Sequence, residues 1–199
     1  MKRTFDIGVS FVGLILLSLL MLLAALAIKL DSPGPIMFRQ KRIGKGFHPF
    51  LIYKFRTMQE ASGRRRSLTV GDDPRITPTG RLLRRTKIDE IPQLINVLKG
   101  DMSFVGPRPE VPEFVELFRS EYEEILKVRP GITDLASLKY RDEAAVLEQS
   151  ENPEEEYLRR VLPDKINLSK EYISRSSFFF DLTLILKTVR KLFEYQVSS

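Results

Sequence analysis

The sequence has no cysteine and no tryptophan, and its 199 residues include a single histidine, His48. Without cysteine the chain can form neither a disulfide bond nor a thiolate metal site. One histidine argues against a histidine-based zinc site and against a Ser-His-Asp triad, and the surrounding GKGFHPF has the composition of an ordinary loop. The length is sufficient for one domain with a hydrophobic core.

Charge is distributed unevenly along the chain. Up to and including Lys87 there are 17 Lys and Arg against 5 Asp and Glu, whereas from Ile88 onward the counts are 15 and 21. The basic first part predicts an anionic partner, which could be nucleic acid, anionic lipid or a phosphorylated substrate. Solubility accounts for many of the single charges but not for their asymmetry.

The longest uncharged segment extends from Ile7 to Ile28, and most of its residues are apolar. As one straight helix it would be roughly 33 Å long, which is enough to cross the hydrocarbon core of a bilayer. It could be a plain transmembrane anchor, a re-entrant helical hairpin, or a cleaved signal peptide with Lys2 and Arg3 before it and small residues around 25–27.

Basic residues on both sides of this segment favour the hairpin. They are Lys2 and Arg3 before it and Lys29, Arg39, Lys41, Arg42 and Lys45 after it. Because basic flanks tend to stay in the cytoplasm, a single span would export one flank, whereas a hairpin keeps both inside. A hairpin needs a break, however, and Ser18 at the middle of the segment bends a helix only weakly. The residues alone support the span and the hairpin about equally.

Turn residues and apolar periodicity predict the elements that follow. Residues 36–40 and 50–55 predict two strands of a small hairpin, and residues 61–80 predict a flexible loop. Residues 81–87 form a short basic amphipathic segment. The i, i+3, i+4, i+7 spacing after Asp89 predicts a helix that ends at Gly100.

The last part of the chain is predicted to be mostly helical. Residues 110–128 and 151–176 predict helices, and residues 129–143 predict a loop that could include a strand. Residues 178–193 place their apolar side chains on one helical face, opposite three basic residues. Such a helix either packs in the core or lies in a membrane interface.

Two adjacent carboxylates, Asp89 and Glu90, begin the helix that ends at Gly100. The simplest interpretation is capping with Asp89 as the N-cap, because a carboxylate near a helix N-terminus contributes about 0.3–1 kcal/mol. The cationic surroundings indicate chemistry instead, since an ionised carboxylate among arginines can hold Mg²⁺ or attack phosphorus. Neighbours in sequence cannot flank a sugar ring from opposite sides, so a glycosidase is a poor fit.

The cations on either side of the acidic pair are suited to phosphate. They are Arg84, Arg85 and Lys87 before the pair and Arg108 after the helix. Proline on each side of Arg108 limits its backbone freedom, so its guanidinium costs less to hold against phosphate oxygens. Together with the apolar N-terminal segment, this pattern indicates phosphoryl chemistry at a membrane surface.

Long ordered motifs carry a resemblance to a known family. They are KRTFDI, SPGPIMFRQKRIGKGFHPFLIYKFRTM, DPRITPTGRLLRRTKIDEIPQLINVLKGDMSFVGPRPE and VRPGIT. The chain resembles the bacterial sugar transferases, which are monotopic polyprenyl-phosphate phosphoglycosyl transferases. The resemblance covers about residues 2–190, and the chain looks like the minimal catalytic unit of the family.

The resemblance implies a reaction and the residues that perform it. A sugar-1-phosphate moves from a UDP-sugar to polyprenyl phosphate, usually undecaprenyl phosphate, and UMP leaves. Asp89 attacks the sugar-bearing phosphate and forms a covalent intermediate, while Glu90 and Mg²⁺ assist and both carboxylates serve as metal ligands. The residues implied to bind phosphate groups are Arg84, Arg108, Lys54 and Arg56.

The resemblance also implies an architecture and a location. We expect a mainly helical α+β protein with a small β element and interfacial amphipathic helices. Residues 1–30 form a re-entrant membrane-inserted helix, and residues 31–199 form a catalytic domain on the cytoplasmic face of the bacterial inner membrane. The expected partners are the UDP-sugar, the polyprenyl phosphate and membrane lipid, without nucleic acid; a homodimer is one option for the oligomeric state.

Two departures from the family pattern affect these expectations. Many members have Ser-Pro at the bend of the re-entrant helix, where this chain has Ser18-Leu19, so the strongest helix breaker is missing. Residues 131–143 also differ from the pattern of many members, which leaves the identity of the sugar open. The alternatives are a non-catalytic basic binding module, for which Arg64, Arg65 and Arg66 are the best support, and a UDP-sugar hydrolase.

Overall fold

The computed structural model describes residues 1–59, 70–71 and 73–197, without the side chains of residues 193 and 195–197. It is mainly helical with two small β pairs, so the predicted α+β class is confirmed. Arg64, Arg65 and Arg66 and half of the predicted loop at 61–80, residues 61–69 and 72, lie outside the described residues.

The described residues form eleven α helices and four strands. The helices are α1 (Lys2–Leu16), α2 (Ser18–Asp31), α3 (Pro78–Thr86), α4 (Gln93–Lys99), α5 (Pro112–Leu117), α6 (Arg119–Ile125), α7 (Leu135–Lys139), α8 (Glu143–Glu148), α9 (Pro153–Glu156), α10 (Leu162–Arg175) and α11 (Phe178–Val197). The strands are β1 (Met37–Ile43), β2 (Pro49–Phe55), β3 (Ser103–Val105) and β4 (Gly131–Thr133).

Helices α1 and α2 form a bent pair that is broken at Leu17. The axes differ in direction by 59°. Ser18 contributes to the break, because its Oγ donates a hydrogen bond to the carbonyl oxygen of Ile15 at 2.7 Å. Such a bond from a serine side chain to the preceding turn often bends a helix. Among the described residues, no helix taken singly has the length and apolarity to cross a membrane, whereas α1 and α2 taken together do.

The N-terminal end of this pair is bonded to the rest of the protein. Lys2 Nζ forms an ion pair with Asp181 Oδ2 at 2.7 Å and donates a hydrogen bond to the Tyr172 hydroxyl at 2.9 Å. Arg3 donates to the carbonyl oxygens of Val97 and Leu98 at the C-terminal end of α4. The Val97 carbonyl also accepts from the backbone nitrogen of Gly100 at 3.1 Å, and a cation is favourable at this end of a helix.

The C-terminal end of the pair is bonded to the same body of the protein. Arg56 donates to the carbonyl oxygen of Ser32 at 2.7 Å and to its hydroxyl at 2.9 Å. Asp31 Oδ2 accepts a hydrogen bond from the backbone nitrogen of Thr79 at 3.3 Å. Both ends of the bent pair therefore form bonds with the rest of the protein.

The predicted β hairpin is confirmed. Strands β1 and β2 pair antiparallel from Met37↔Phe55 to Ile43↔Pro49. Asn96 in α4 ties β2 to that helix, because its side chain accepts from the nitrogen of Tyr53 at 3.0 Å and donates to the carbonyl of Leu51 at 2.7 Å. The hairpin is thereby placed beside the helix that follows the acidic pair.

The second β pair joins distant parts of the chain. Strand β3 pairs parallel with β4, and β4 lies in the segment where a strand was considered possible. Gly106 follows β3, Gly131 is the first residue of β4, and the two glycines are in contact. A Cβ on Gly131 would lie 2.1 Å from the nitrogen of Gly106. This contact brings the segment after β3, which contains Arg108, against the start of β4.

The C-terminal half is helical as predicted, with one correction. The helix predicted over 110–128 is two helices, α5 and α6, because the chain breaks at Phe118. The segment 151–176 is helical, with a π turn at Tyr157–Val161 between α9 and α10. Its buried residues, among them Tyr157 and Val161, pack against Phe114 in the main hydrophobic core.

Helix α11 confirms the predicted helix at 178–193 and shows which face is buried. Leu184 and Asp181 are buried, whereas Phe179 is 78% exposed and Leu186 is 62% exposed. Most of the predicted apolar face therefore points away from the protein, and the interpretation as a core helix is wrong for that face. Exposed apolar side chains of α1 and α2 include Phe11, Leu16, Leu19, Leu22 and Leu30.

Candidate active site

A short turn presents Asp89 and Glu90. Helix α3 ends at Thr86, and the next residue, Lys87, adopts a left-handed conformation with φ 59°. A 3-10 turn then spans Ile88–Glu90. With about three residues per turn, consecutive side chains point roughly 120° apart. Two neighbours in sequence can therefore enter different surroundings.

The prediction that Asp89 caps the following helix is wrong. Helix α4 begins at Gln93 and has Pro92 at its N-cap position, without a side-chain cap. Asp89 Oδ1 is buried and has no hydrogen-bond partner. The preceding helix α3 also differs from expectation, since it begins at Pro78 within the predicted loop, where Thr77 caps it.

Glu90 is surrounded by cations. Its Oε1 lies 2.8 Å from Lys54 Nζ and 2.6 Å from an Arg108 terminal nitrogen, and its Oε2 lies 3.4 Å from the other terminal nitrogen. Burial alone would raise the pKa of Glu90, but Arg108 and Lys54 outweigh it and hold the pKa well below its ordinary value. Glu90 therefore stays ionised and keeps both cations in place.

Asp89 is in the opposite situation. It is 7% exposed, and burial followed by the charge of Glu90 raises the pKa of its carboxyl group. A buried carboxylate oxygen without a partner is costly and rare, and such groups concentrate at functional sites. The pair therefore consists of one carboxylate that is fully engaged and one that is available.

Arg84 approaches the pair from α3. Its Nε donates to Thr57 Oγ1 at 2.8 Å, and burial lowers the pKa of its guanidinium. Helix α3 lies directly on Thr57, because a Cβ on Gly80 would be 2.0 Å from the carbonyl oxygen of Thr57. Sequence reasoning missed Thr57 and Gly80; a glycine inside a helical pattern was the available signal of close approach.

Arg108 is positioned through its backbone. Its nitrogen donates to Asp134 Oδ2 at 3.1 Å, and the Oδ1 of Asp134 accepts from Ser137 at 2.7 Å as the N-cap of α7. Arg42 donates to the carbonyl of Pro109 at 2.9 Å. Asp134 was also missed, although an Asp before the helical LASLK is a typical cap signal.

A buried charge network lies behind Arg108. Glu110 Oε1 accepts from Lys165 Nζ and from the Tyr157 hydroxyl, both at 2.8 Å, and Lys165 also contacts Glu143 Oε2 at 3.1 Å. Burial alone would raise the pKa of Glu110, but Lys165 and Arg42 outweigh it and lower the pKa to about 2. The network fixes the segment Pro107–Glu110 against α10, and no local pattern predicted it.

The structure brings five of the six predicted site residues together but places Arg56 differently. Asp89, Glu90, Lys54, Arg84 and Arg108 interact with one another directly or through their charges. The terminal nitrogens of Arg56 instead donate to carbonyl oxygens of residues 32 and 33, after α2. Both terminal nitrogens of Arg56 therefore already have hydrogen-bond partners. Phosphate binding by Arg56 stays a prediction.

The donor set around Asp89 fits a magnesium ion. Within the described ranges no cluster of three or more His, Cys, Asp or Glu could hold a metal. Mg²⁺ is commonly bound by only one or two carboxylates together with substrate phosphates and water. The unpartnered Oδ1 of Asp89 provides one such oxygen, while both oxygens of Glu90 contact cations.

Comparisons with known proteins identify the family of the chain. The family model described as "Bacterial sugar transferase" matches residues 1–195. A UDP-N-acetylgalactosamine-undecaprenyl-phosphate N-acetylgalactosaminephosphotransferase of Aeromonas hydrophila is 39% identical, over 96% of this chain and 43% of the relative. A UDP-glucose:undecaprenyl-phosphate glucose-1-phosphate transferase of Caulobacter vibrioides is 40% identical, over 96% of this chain and 69% of the relative.

The extent of the match varies with the length of the relative. The sugar transferase EpsL of Bacillus subtilis, named as uncharacterized, is 35% identical over 96% of this chain and 87% of the relative. The chain thus spans less than half of the Aeromonas relative and most of the Bacillus relative. Since the family model and these relatives match nearly the whole chain, the protein belongs to the bacterial sugar transferase family.

Proposed function

We propose that this protein transfers a sugar-1-phosphate from a UDP-sugar to undecaprenyl or another polyprenyl phosphate and releases UMP. The observation that carries the proposal is the pairing of a buried, unpartnered carboxylate on Asp89 with a Glu90 that is committed to two cations. The names of the relatives support undecaprenyl phosphate as the acceptor and a UDP-sugar as the donor.

The reaction proceeds in two displacements at one phosphorus. A carboxylate oxygen of Asp89 attacks the phosphorus that bears the sugar, and the bond to the bridging oxygen breaks, so UMP leaves with that electron pair. The product is an aspartyl phosphate that carries the sugar. An oxygen of the polyprenyl phosphate then attacks the same phosphorus, the bond to Asp89 breaks, and the carboxylate is regenerated.

The surrounding residues make this attack possible. Glu90 orients Lys54 and Arg108, and Arg84 is near enough to Asp89 for its charge to lower the pKa of that carboxyl group, so three cations are available for the negative charge of a diphosphate. Asp89 would hold Mg²⁺ through the oxygen that has no protein partner, and the charge of the ion would offset the repulsion between a carboxylate and a diphosphate. Metal binding by Glu90 stays a prediction, since it would require Glu90 to give up a contact with Lys54 or Arg108. Burial of Asp89 removes water that would otherwise stabilise its ionised form.

The contacts of α1 and α2 support a re-entrant, one-sided membrane attachment. Lys2 and Arg3 at one end, and Asp31 and Ser32 at the other, bond to the same body of the protein. A straight span would separate these ends by the thickness of the bilayer. We infer that residues 1–30 insert into and return from the cytoplasmic leaflet of the inner membrane, and that residues 31–199 lie on its cytoplasmic face. The exposed apolar face of α11 lies in the interface.

The proposal is tested by UMP release from a panel of UDP-sugars, in detergent or liposomes with Mg²⁺, with and without polyprenyl phosphate. Release that depends on the lipid phosphate and occurs with one sugar would establish the reaction and identify the donor. Release without the lipid would instead identify a UDP-sugar hydrolase. No release from any donor by folded protein would refute the transferase for that panel.

A further inference from the structure

Arg84 differs from the other two cations of the site in what it contacts. Lys54 and Arg108 form ion pairs with Glu90. Arg84 forms no such pair with a described residue, and its side-chain hydrogen bond goes to a neutral partner, Thr57 Oγ1, at 2.8 Å. Among the described residues, its positive charge is therefore not neutralised by a contacting carboxylate.

The position of that hydrogen bond determines which end of Arg84 is available. Thr57 accepts from Nε, the nitrogen nearest the backbone, so this hydrogen bond does not use the two terminal nitrogens. Two parallel terminal N–H groups are the geometry that binds phosphate oxygens in pairs. An arginine held at Nε by a neutral acceptor is thus prepared to bind an anion without first giving up an ion pair.

Contacts with the start of α3 hold the backbone of Thr57 in place. Its carbonyl oxygen accepts from the nitrogen of Thr77 at 3.1 Å, and Thr77 in turn caps α3 by accepting from Gly80 at 3.0 Å. The absence of a side chain at Gly80 lets α3 lie against the carbonyl of Thr57. Because Gly80 and Arg84 are four residues apart, they share one face of α3.

Building on the proposed transfer reaction, we propose that Thr57 is a positioning residue for the donor. Its hydroxyl group holds Arg84 by Nε and directs the two terminal nitrogens to the diphosphate of a nucleoside diphosphate sugar. Thr57 itself touches no reacting atom. It is 7% exposed, so its hydroxyl acts through Arg84 and not through solvent.

The test is the binding of UDP to the full-length protein in detergent with Mg²⁺, measured by calorimetry. Thr57→Val keeps the shape of the side chain and removes the acceptor, and we expect it to weaken UDP binding about tenfold. Thr57→Ser keeps the hydroxyl group and should remain within about twofold of the wild type. In an Arg84→Met background, Thr57→Val should cause no further loss, because the group that it positions is gone.

Two results would overturn the inference. One is wild-type UDP affinity in a folded Thr57→Val variant; the other is an equal loss with and without Arg84, which would mean that Thr57 only supports the fold. The transfer reaction can fail separately. If the variants show the non-additive loss of UDP binding but the wild-type protein releases no UMP in a lipid-dependent way, the proposed reaction is overturned and the role of Thr57 stands.

Discussion

Arg108 donates to Glu90 from both terminal nitrogens, at 2.6 Å to Oε1 and 3.4 Å to Oε2. The preceding residue, Asp89, keeps Oδ1 free of any hydrogen bond. Two carboxylates that are adjacent in sequence therefore have opposite electrostatic surroundings. This difference is the basis for assigning them different tasks, since a carboxylate that attacks phosphorus must have an available oxygen.

We predict that Asp89→Asn abolishes lipid-dependent UMP release, by a factor of about a thousand or more, because an amide oxygen is a poor nucleophile. The variant should unfold at a temperature no lower than that of the wild type, since a buried charge without a partner has been removed. Intact mass spectrometry should detect a sugar-phosphate adduct in wild-type protein that is given donor without acceptor, and none in the variant. Full activity of Asp89→Asn would refute the nucleophile assignment.

The low pKa of Glu110 predicts a specific loss of stability in acid. Its folded-state pKa of about 2 lies below the ordinary 4.5, so its stabilising contribution is present above pH 4.5 and is lost as pH falls from there towards 2. The difference corresponds to about 3 kcal/mol of unfolding free energy at neutral pH. In detergent, Glu110→Gln should be less stable than the wild type at pH 7 and should lose less stability on acidification.

A matched control separates this effect from general acid sensitivity. Glu116 also pairs with an arginine, Arg119, but its side chain is 70% exposed. Glu116→Gln should therefore change stability by well under 1 kcal/mol and leave the acid profile unaltered. If both variants show the same dependence of stability on pH, the buried ion pairs of Glu110 do not contribute the unfolding free energy that the low pKa implies.

Gly80 and Gly8 provide a paired test of how α3 is placed. A Cβ on Gly80 would lie 2.0 Å from the carbonyl oxygen of Thr57, whereas a Cβ on Gly8 in α1 would meet nothing within 4 Å. We expect Gly80→Ala to lower both the unfolding temperature and the transfer activity, because α3 and Arg84 must shift. Gly8→Ala should be neutral or slightly stabilising, as is usual for this change in a helix. Normal activity in Gly80→Ala would show that α3 tolerates the displacement.

The absence of native cysteine makes the membrane topology directly measurable. Thr4 and Lys41 are exposed and lie on opposite sides of the apolar segment. In a re-entrant arrangement, Thr4→Cys and Lys41→Cys should both react with a membrane-impermeant maleimide in inverted vesicles and neither should react in intact cells. Labelling of the two positions from opposite sides would establish a single span instead.

Local signals account for the parts of the fold that the sequence predicts correctly. The β1–β2 hairpin follows from aromatic and β-branched runs around a glycine turn, and α11 follows from its apolar periodicity. The capping prediction for Asp89 failed because the left-handed Lys87 starts a tight turn before α4 begins. Phe118 interrupts a periodic helix without any proline or glycine to mark the break.

Contacts between distant segments account for what was missed. Strands β3 and β4 have three residues each and pair across the intervening helices α5 and α6, so neither has a pattern of its own. Glu110 and Lys165 are 55 positions apart, and Thr57 and Arg84 are 27 apart. The residues of the acidic pair and its cations could be found from the sequence, whereas the residues that hold those cations in place depend on the folded chain.

The bonds made by Lys2, Arg3 and Arg56 have a practical consequence for any attempt to obtain a soluble catalytic fragment. Removing α1 and α2 would leave Asp181 and the C-terminal carbonyls of α4 without their cations. The guanidinium of Arg56 would lose the carbonyl of Ile28, and its other acceptors, at residues 32 and 33, would become the start of the chain. These groups would become uncompensated in the interior or at a newly exposed apolar surface. The apolar pair is thus an integral part of the protein's architecture, and solubility would have to be gained by changing its outward-facing side chains instead of deleting it.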